Sequence, residues 1–207
     1  MAAERSQART RLARAAITDA ARELFLERGF GATTMDAISE AADVPIASVY
    51  RLFSSKHGIL KAVLDVSIAG DDEEIPVSER PEVQALLTDA DPQNQLAGFV
   101  RISAAINERV APIYRILLSA ASADREAAAL LDELANQRQQ GQRAIARSLV
   151  RSGALRVDVR ERDAADVIHA LMSPEMYRLL VVDRRWTTAR YERWLTETVT
   201  HQLLRER

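Results

Sequence analysis

The amino-acid sequence predicts an all-α protein, and three observations lead to this fold class. The 207 residues include only seven Gly and six Pro, so few residues interrupt helices. Apolar side chains recur three and four residues apart, as at Ile17, Ala20, Ala21 and Leu24, which is the spacing of one helix face. Alternating runs of β-branched residues, which are typical of strands, are missing.

The first two predicted helices are delimited by caps and breakers. The helix of residues 8–28 ends at Gly29, because glycine readily adopts the left-handed backbone found after helices. The second begins after Thr33, since Asp36 follows three residues later in a pattern close to a capping box. Pro45 ends it, because proline lacks an amide hydrogen and disfavours a helical residue before it.

A third, short helix over residues 46–53 and a fourth that begins at Ser54 or Ser55 complete the N-terminal pattern. Two short helices joined by a tight turn form a helix-turn-helix, which places its second helix in the DNA major groove. The segment from Thr33 to Lys56 therefore predicts a DNA-binding module, and we assign residues 1–70 to it.

Residues 71–207 are predicted to form a second, helical domain. The boundary is the segment from Gly70 to Pro81, which is acidic, contains two Pro and has no apolar period. Pro174 either kinks the helix in which it lies or ends one helix and begins another. The expected helices of this domain cover residues 92–110, 112–120, 124–152, 163–183 and 187–204.

Composition excludes several other classes of protein. The chain is 47% hydrophobic and 28% charged, as in ordinary globular proteins. It has no Cys, which excludes disulfides and thiolate metal sites and suits a reducing cytoplasm. Since no apolar run reaches the ~18 residues of a membrane span and no secretory signal is present, we expect a cytoplasmic protein without membrane contact.

The exposed face of the third helix offers chemistry suited to DNA. Arg51 can bond to guanine or phosphate, Tyr50 to a phosphate oxygen and Ser48 to a base edge, while Ile46 and Ala47 can touch a thymine methyl. The amino ends of the second and fourth helices present free amides to phosphates. The candidate DNA-binding residues are Thr33, Thr34, Pro45, Ile46, Ala47, Ser48, Tyr50, Arg51 and Lys56.

These residues resemble the TetR family of bacterial repressors, densely over residues 11–64. The matching positions are Ala20, Ala21, Leu24, Phe25, Gly29, Thr33, Thr34, Ile38, Ala41, Val44, Val49, Tyr50, Phe53, Ser55, Lys56 and Leu60. The resemblance implies a homodimer formed through the last two long helices, with a small-molecule effector that releases the protein from a palindromic operator.

The sequence departs from the family pattern within the turn and the third helix. Asp43 stands where Gly is usual, Pro45 where Ser is frequent, and Ile46 and Ala47 where Lys and Gly are frequent. The base preference of the family therefore does not transfer. The departures imply weaker DNA binding or greater reliance on four arginines, which are Arg5, Arg9, Arg11 and Arg51.

Polar residues on apolar helix faces are the candidates for effector binding, because such groups can line a ligand cavity. The alternative is that each lies at the edge of its apolar face, on a slightly rotated helix. Trp186 and Trp194 are assigned to packing or to the dimer interface. The candidate effector-binding residues are Asn107, Tyr114, Arg138, Gln142, His169 and Met172.

Other functions find less support in the sequence. Asp166 and His169 have the spacing of some bundle metal sites, but such sites need further carboxylates on facing helices. With no nucleophile in a defined turn and no glycine-rich phosphate loop, we expect neither an enzyme nor a cofactor or metal site. Two alternatives stay open, namely a helical interaction protein whose helix-turn-helix no longer binds DNA, and an activator or effector-free regulator.

Overall fold

The computed structural model describes residues 2–70 and 76–205, with side chains from Ser6 onward, and this part of the chain is helical. The one β pairing in it is an isolated antiparallel bridge between Leu155 and Leu204. The predicted all-α class is therefore confirmed. The helices are α1 (Ala2–Ala32), α2 (Met35–Ala41), α3 (Ile46–Phe53), α4 (Lys56–Ala69), α5 (Pro81–Leu87), α6 (Pro92–Ala121), α7 (Arg125–Arg151), α8 (Glu161–Leu171), α9 (Pro174–Tyr177) and α10 (Thr188–Leu203).

The chain divides into two compact units, and three long helices contribute to both. The first unit comprises Met1–Ser67 and Pro112–Leu131, and the second comprises Ile68–Ala111 and Asp132–Arg207. Helices α4, α6 and α7 each begin in one unit and end in the other. The division of DNA and effector functions near residue 70 stays a prediction.

The first unit is held together by apolar side chains from α1 to α4. Helix α3 buries Val49 and Phe53, and α2 buries Ile38. Burial of this apolar surface fixes which face of α3 is left outside. The fully buried side chains of α1 and α4 are Ile17, Ala21, Phe25, Ile59 and Leu60.

The second unit has its own core, built from α6, α7, α8 and α10. Tyr177 meets Tyr191 edge to face with 5.2 Å between ring centroids, and Trp186 meets Trp194 in the same way at 5.7 Å. Burial raises the pKa of both tyrosines. The buried aliphatic side chains at the centre of this core are Leu96, Val100, Ile145, Leu149, Ile168, Leu195 and Val199.

Two predicted boundaries within the first four helices were wrong. Helix α1 begins at Ala2 and not at residue 8, whereas Gly29, with φ 80°, breaks the helical backbone where the sequence predicted the helix to end. The cap of α2 is Thr34, whose hydroxyl accepts a hydrogen bond from the Ala37 amide at 3.1 Å, and not Thr33. The sequence could not distinguish two adjacent threonines that are equally able to cap.

Proline has opposite consequences at two positions in the C-terminal part. The sequence predicted that a new helix begins at Pro112. Pro112 lies instead inside α6. Proline removes one amide donor, and the buried Ala111 and Ile113 on either side keep the helix continuous. Pro174 instead begins α9, and the Ser173 hydroxyl accepts a hydrogen bond from the Met176 amide. Of the two predicted alternatives, a kink within one helix and a boundary between two helices, the boundary is therefore correct.

Helix α9 continues into a π-helical turn, Arg178–Asp183, which was predicted as ordinary α-helix. Helix α5 and the 3-10 turn Val77–Glu79 were not predicted at all. Both lie beside the acidic loop, where the apolar period is too short to indicate a helix.

Gly58 allows the close approach of α4 to the end of α3. A Cβ at this position would lie 2.2 Å from the carbonyl oxygen of Phe53. We expect Gly58→Ala to lower the free energy of unfolding by about 1–3 kcal/mol, because backbone must move to accommodate the methyl group. Gly141 lies within α7 with open space around it. Gly141→Ala should therefore raise the free energy of unfolding by about 0.5–1 kcal/mol. Denaturant unfolding of both variants and the wild-type protein measures these two opposite changes.

Candidate nucleic-acid interface

The turn between α2 and α3 is shaped by a left-handed residue and a side-chain hydrogen bond. Asp43 has φ 51°, a backbone region that Asp tolerates better than most residues. The Ser39 hydroxyl donates to the Val44 carbonyl at 2.6 Å and closes the turn. Pro45 follows as the residue before α3, where its missing amide hydrogen leaves no helical bond unmade.

Helix α3 has one buried and one exposed face. Val49 is fully buried, whereas the adjacent Tyr50 is 51% exposed and Arg51 is also exposed. Ala47 and Pro45 are exposed as well, while Ile46 and Ser48 are half-buried. The arrangement brings a phenol, a guanidinium and small side chains to one surface of a short helix, which is the chemistry that base edges and phosphates accept.

Thr33 and Lys56 face the interior of the first unit. Thr33 is 1% exposed, and its hydroxyl donates to the Gly29 carbonyl at 2.8 Å. The Lys56 ammonium donates to the carbonyls of Phe30 and Thr33 at 2.7 and 2.8 Å and lies 4.4 Å from the centre of the Phe30 ring. Burial lowers the pKa of Lys56. Both residues join α4 to the end of α1, so their role here is to hold the helices, while Thr34 is exposed at the start of α2.

Arg14 supports the far end of α3, a role that the sequence did not reveal. Its guanidinium donates to the Leu52 carbonyl at 2.9 Å and lies 4.5 Å from the centre of the Phe53 ring. The last carbonyls of a helix lack internal donors and carry partial negative charge, so a cation stabilises them. Helix α3 is therefore held by a charged side chain from α1 at its carboxyl end.

Within the first unit, His57 joins the start of α4 to the start of α7. Its Nε2 lies 2.8 Å from an Asp124 carboxylate oxygen, and its Nδ1 lies 3.2 Å from a Glu126 oxygen. The other Asp124 oxygen accepts from the amides of Glu126 and Ala127 and so caps α7. The Ala127 amide, followed by His57, holds the pKa of Asp124 below its usual range. The helix start at Asp124 was predicted, but its pairing with His57 had no local signal.

In the second unit, five of the six candidate effector-binding residues lie around the end of α8. The Asn107 amide donates to the Met172 carbonyl at 3.1 Å, and the Arg138 guanidinium donates to the His169 carbonyl at 3.3 Å. His169 Nδ1 lies 2.8 Å from the Gln142 side-chain oxygen. Side chains from α6 and α7 thus satisfy the last carbonyls of α8, and Asn107, Gln142 and Met172 are buried.

Tyr114 is the sixth candidate, and it belongs to the first unit, where it is 9% exposed. In the described residues, no group of three or more His, Asp or Glu side chains is arranged to hold a metal ion. No helix among them is both long and apolar enough to cross a membrane.

Comparisons with known proteins relate the helix-turn-helix to one family. The model of a family described as "Bacterial regulatory proteins, tetR family" matches residues 17–63, which contain α2, α3 and the turn between them. A curated relative, the uncharacterized HTH-type transcriptional regulator YdeS of Bacillus subtilis, is 29% identical over 183 residues, or 87% of this chain and 85% of its own. The N-terminal segment of this chain therefore matches the TetR family. The resemblance stated from the sequence is thereby confirmed.

Solved structures show the same fold over nearly the whole of this chain. The structure described as a SmeT–triclosan complex has a TM-score of 0.72 at 20% identity and covers 94% of this chain and 92% of that one. NalD, the secondary repressor of the MexAB-OprM multidrug efflux pump in Pseudomonas aeruginosa, also has a TM-score of 0.72, at 22% identity and 94% and 98% coverage. The helix-turn-helix that matches the TetR family is thus joined to a helical remainder with the fold of these structures.

The environment of His169 gives this regulator a pH-dependent stability. Burial, and then the charge of Arg138, lower the pKa of His169, while Glu175 and Asp166 act in the opposite direction. The folded state therefore favours the neutral ring, whereas the unfolded chain takes up a proton near the ordinary value of about 6.5. Acid thus favours the unfolded state, and this contribution to stability is lost as the pH falls below about 6.5 towards the lowered pKa of the folded protein.

We expect His169→Gln to reduce the loss of stability between pH 7 and pH 5, because glutamine does not titrate. Urea unfolding of both proteins at the two pH values measures this difference. An identical pH dependence in the variant would contradict the prediction. The comparison needs both proteins, since carboxylates contribute to the acid sensitivity of each of them.

Proposed function

We propose that this protein is a homodimeric repressor that reads a palindromic operator with α3 and is released from it by a small-molecule effector. The observation that carries the proposal is the pair of adjacent exposed side chains, Tyr50 and Arg51, on a helix whose other face is buried. A short helix held outward in this way has the form of a helix that enters the major groove.

The proposed reading chemistry follows from the exposed face of α3. Arg51 makes a two-pronged bond to guanine or pairs with phosphate, and Tyr50 bonds to a phosphate oxygen. Ala47 and the partly exposed Ile46 contact thymine methyl groups, and Ser48 bonds to a base edge. Thr34 and Pro45 lie at the amino ends of α2 and α3 and approach the phosphate backbone.

We place the dimer interface on the last segments of the second unit. Leu179 and Val182 lie three residues apart in the π-helical turn and are 45% and 58% exposed, and a partner subunit would cover this apolar pair. The ring pair of Trp186 and Trp194 lies in the same C-terminal segment. A two-fold dimer formed there would set two copies of α3 about 34–36 Å apart, one helical turn of DNA.

We propose that the effector acts on the hydrogen bonds around the end of α8. Asn107 and Arg138 donate to backbone carbonyls of the last turn, and a ligand that accepted these donors would release that turn. An effector changes an equilibrium only if it binds the two states unequally, and the loss of these bonds supplies such a difference. The triclosan complex of SmeT supports a small, largely apolar effector.

One observation favours the alternative, an interaction protein whose helix-turn-helix has lost DNA binding. Residues 33–54 contain three acidic side chains, Asp36, Glu40 and Asp43, and only one basic side chain, Arg51. A salt titration distinguishes the two functions. Affinity for duplex DNA that falls steeply with salt indicates phosphate contact, whereas an absence of binding at low salt would favour the alternative.

Selection of bound duplexes from a random pool is the decisive experiment for operator recognition. A palindromic consensus would demonstrate both dimerisation and sequence preference. On that duplex, we expect Arg51→Ala to weaken binding at least tenfold, because each protomer loses a two-pronged base contact that contributes about 1–3 kcal/mol. Tyr50→Ala should weaken binding as well, because each protomer loses a phosphate contact. Arg143→Ala, at an exposed position of α7, removes the same charge as Arg51→Ala and should leave the affinity unchanged. Normal binding by both α3 variants would argue against α3 as the reading helix.

We expect a dimer by light scattering at micromolar concentration. The double variant Leu179→Lys/Val182→Lys should be monomeric, because two buried charges without partners oppose association. Val157, which is 91% exposed in a loop of the same unit, provides the control, and Val157→Lys should stay dimeric. A monomeric wild-type protein would exclude the model with two half-sites.

A further inference from the structure

The start of α1 carries a run of side chains that do not enter the core. None of the side chains from Ser6 to Ala16 is buried, and Ile17 is the first buried residue after them. At 1.5 Å per residue, this run is about 16 Å long. Because none of these side chains is buried, they add little to the core and can contact another molecule.

The helix-turn-helix itself is poor in positive charge. Arg51 is the one basic residue among residues 33–54, and Lys56 donates two of its hydrogen bonds to backbone carbonyls. His57 is paired with Asp124 and Glu126. Phosphate contacts by Lys and Arg supply a large share of DNA affinity, so cations from another element are needed to complete the interface.

The anchoring of Arg14 fixes this run of α1 next to the end of α3. Arg14 contacts the Leu52 carbonyl and the Phe53 ring, immediately after Arg51. Arg11 lies three residues before Arg14 and therefore on the same face of α1, one turn farther from the core. Arg9 is five residues before Arg14, which places it on the opposite face. Both Arg9 and Arg11 are exposed, and neither forms an ion pair within the described part of the chain.

We propose that Arg11 binds a backbone phosphate of duplex DNA beside the bases that α3 reads. The inference rests on the proposed function, since α3 must first engage the major groove. Arg11 is carried on the α1 face that contacts the carboxyl end of α3, so it extends the positive surface begun by Arg51. It contributes affinity without base preference, because a phosphate contact holds the protein in position but carries no sequence information.

The test uses the full-length protein and the duplex obtained by selection. Binding constants are measured by fluorescence anisotropy between about 50 and 300 mM KCl, and the logarithm of affinity is plotted against that of salt concentration. Each lost phosphate contact reduces the slope by about 0.9, so Arg11→Gln should reduce it by about 1.8 in a dimer. The selected consensus should stay the same.

Two variants control for charge and for folding. Arg143→Gln, at an exposed position of α7, makes the same change of net charge and should retain the wild-type slope, and Arg11→Lys should retain it too. A wild-type slope in Arg11→Gln, or an equal reduction in Arg143→Gln, would overturn the assignment of Arg11 while leaving the role of α3 intact. If the wild-type protein binds no duplex, both the assignment and the proposed function are wrong.

Discussion

The attachment of α3 to its neighbours is the constraint on which the DNA-facing surface depends. Eight residues are too few for a stable isolated helix, which needs about 12–15 residues even in favourable sequences. Burial of Val49 and Phe53 sets the rotation of α3, and Arg14 satisfies its last turn. Lys56 ties the start of α4 to the end of α1. The exposure of Tyr50 and Arg51 is a consequence of these contacts and not of any preference of their own.

Asp124 combines two structural tasks that would otherwise need two residues. One carboxylate oxygen caps α7, and the other lies next to the His57 ring at the start of α4. At its other end, α4 receives a hydrogen bond from Arg109 of α6 to the Ile68 carbonyl. Helix α4 is thus fastened near both termini, by the residue that caps α7 and by a side chain of α6.

The sequence predicted most of the N-terminal architecture, because its signals are local. Caps, a turn proline and apolar spacing all lie within a few residues of the boundaries that they determine. It could not assign Thr33 and Lys56 to the interior, since the same residue types serve equally well at a phosphate. The pairing of His57 with Asp124 spans 67 residues and has no local pattern. Pro112 was misjudged because its effect depends on buried neighbours. Five of the six candidate effector-binding residues lie together around the end of α8, and their role in binding an effector stays a prediction.

The acidic character of α2 and its turn affects how such a regulator searches a chromosome. A genome offers about 10⁶ to 10⁹ competing sites, and strongly cationic proteins occupy many of them. Asp36, Glu40 and Asp43 repel the phosphates of every duplex alike. The part of the affinity that does not depend on base sequence is therefore reduced, and base contacts supply a larger share of what remains.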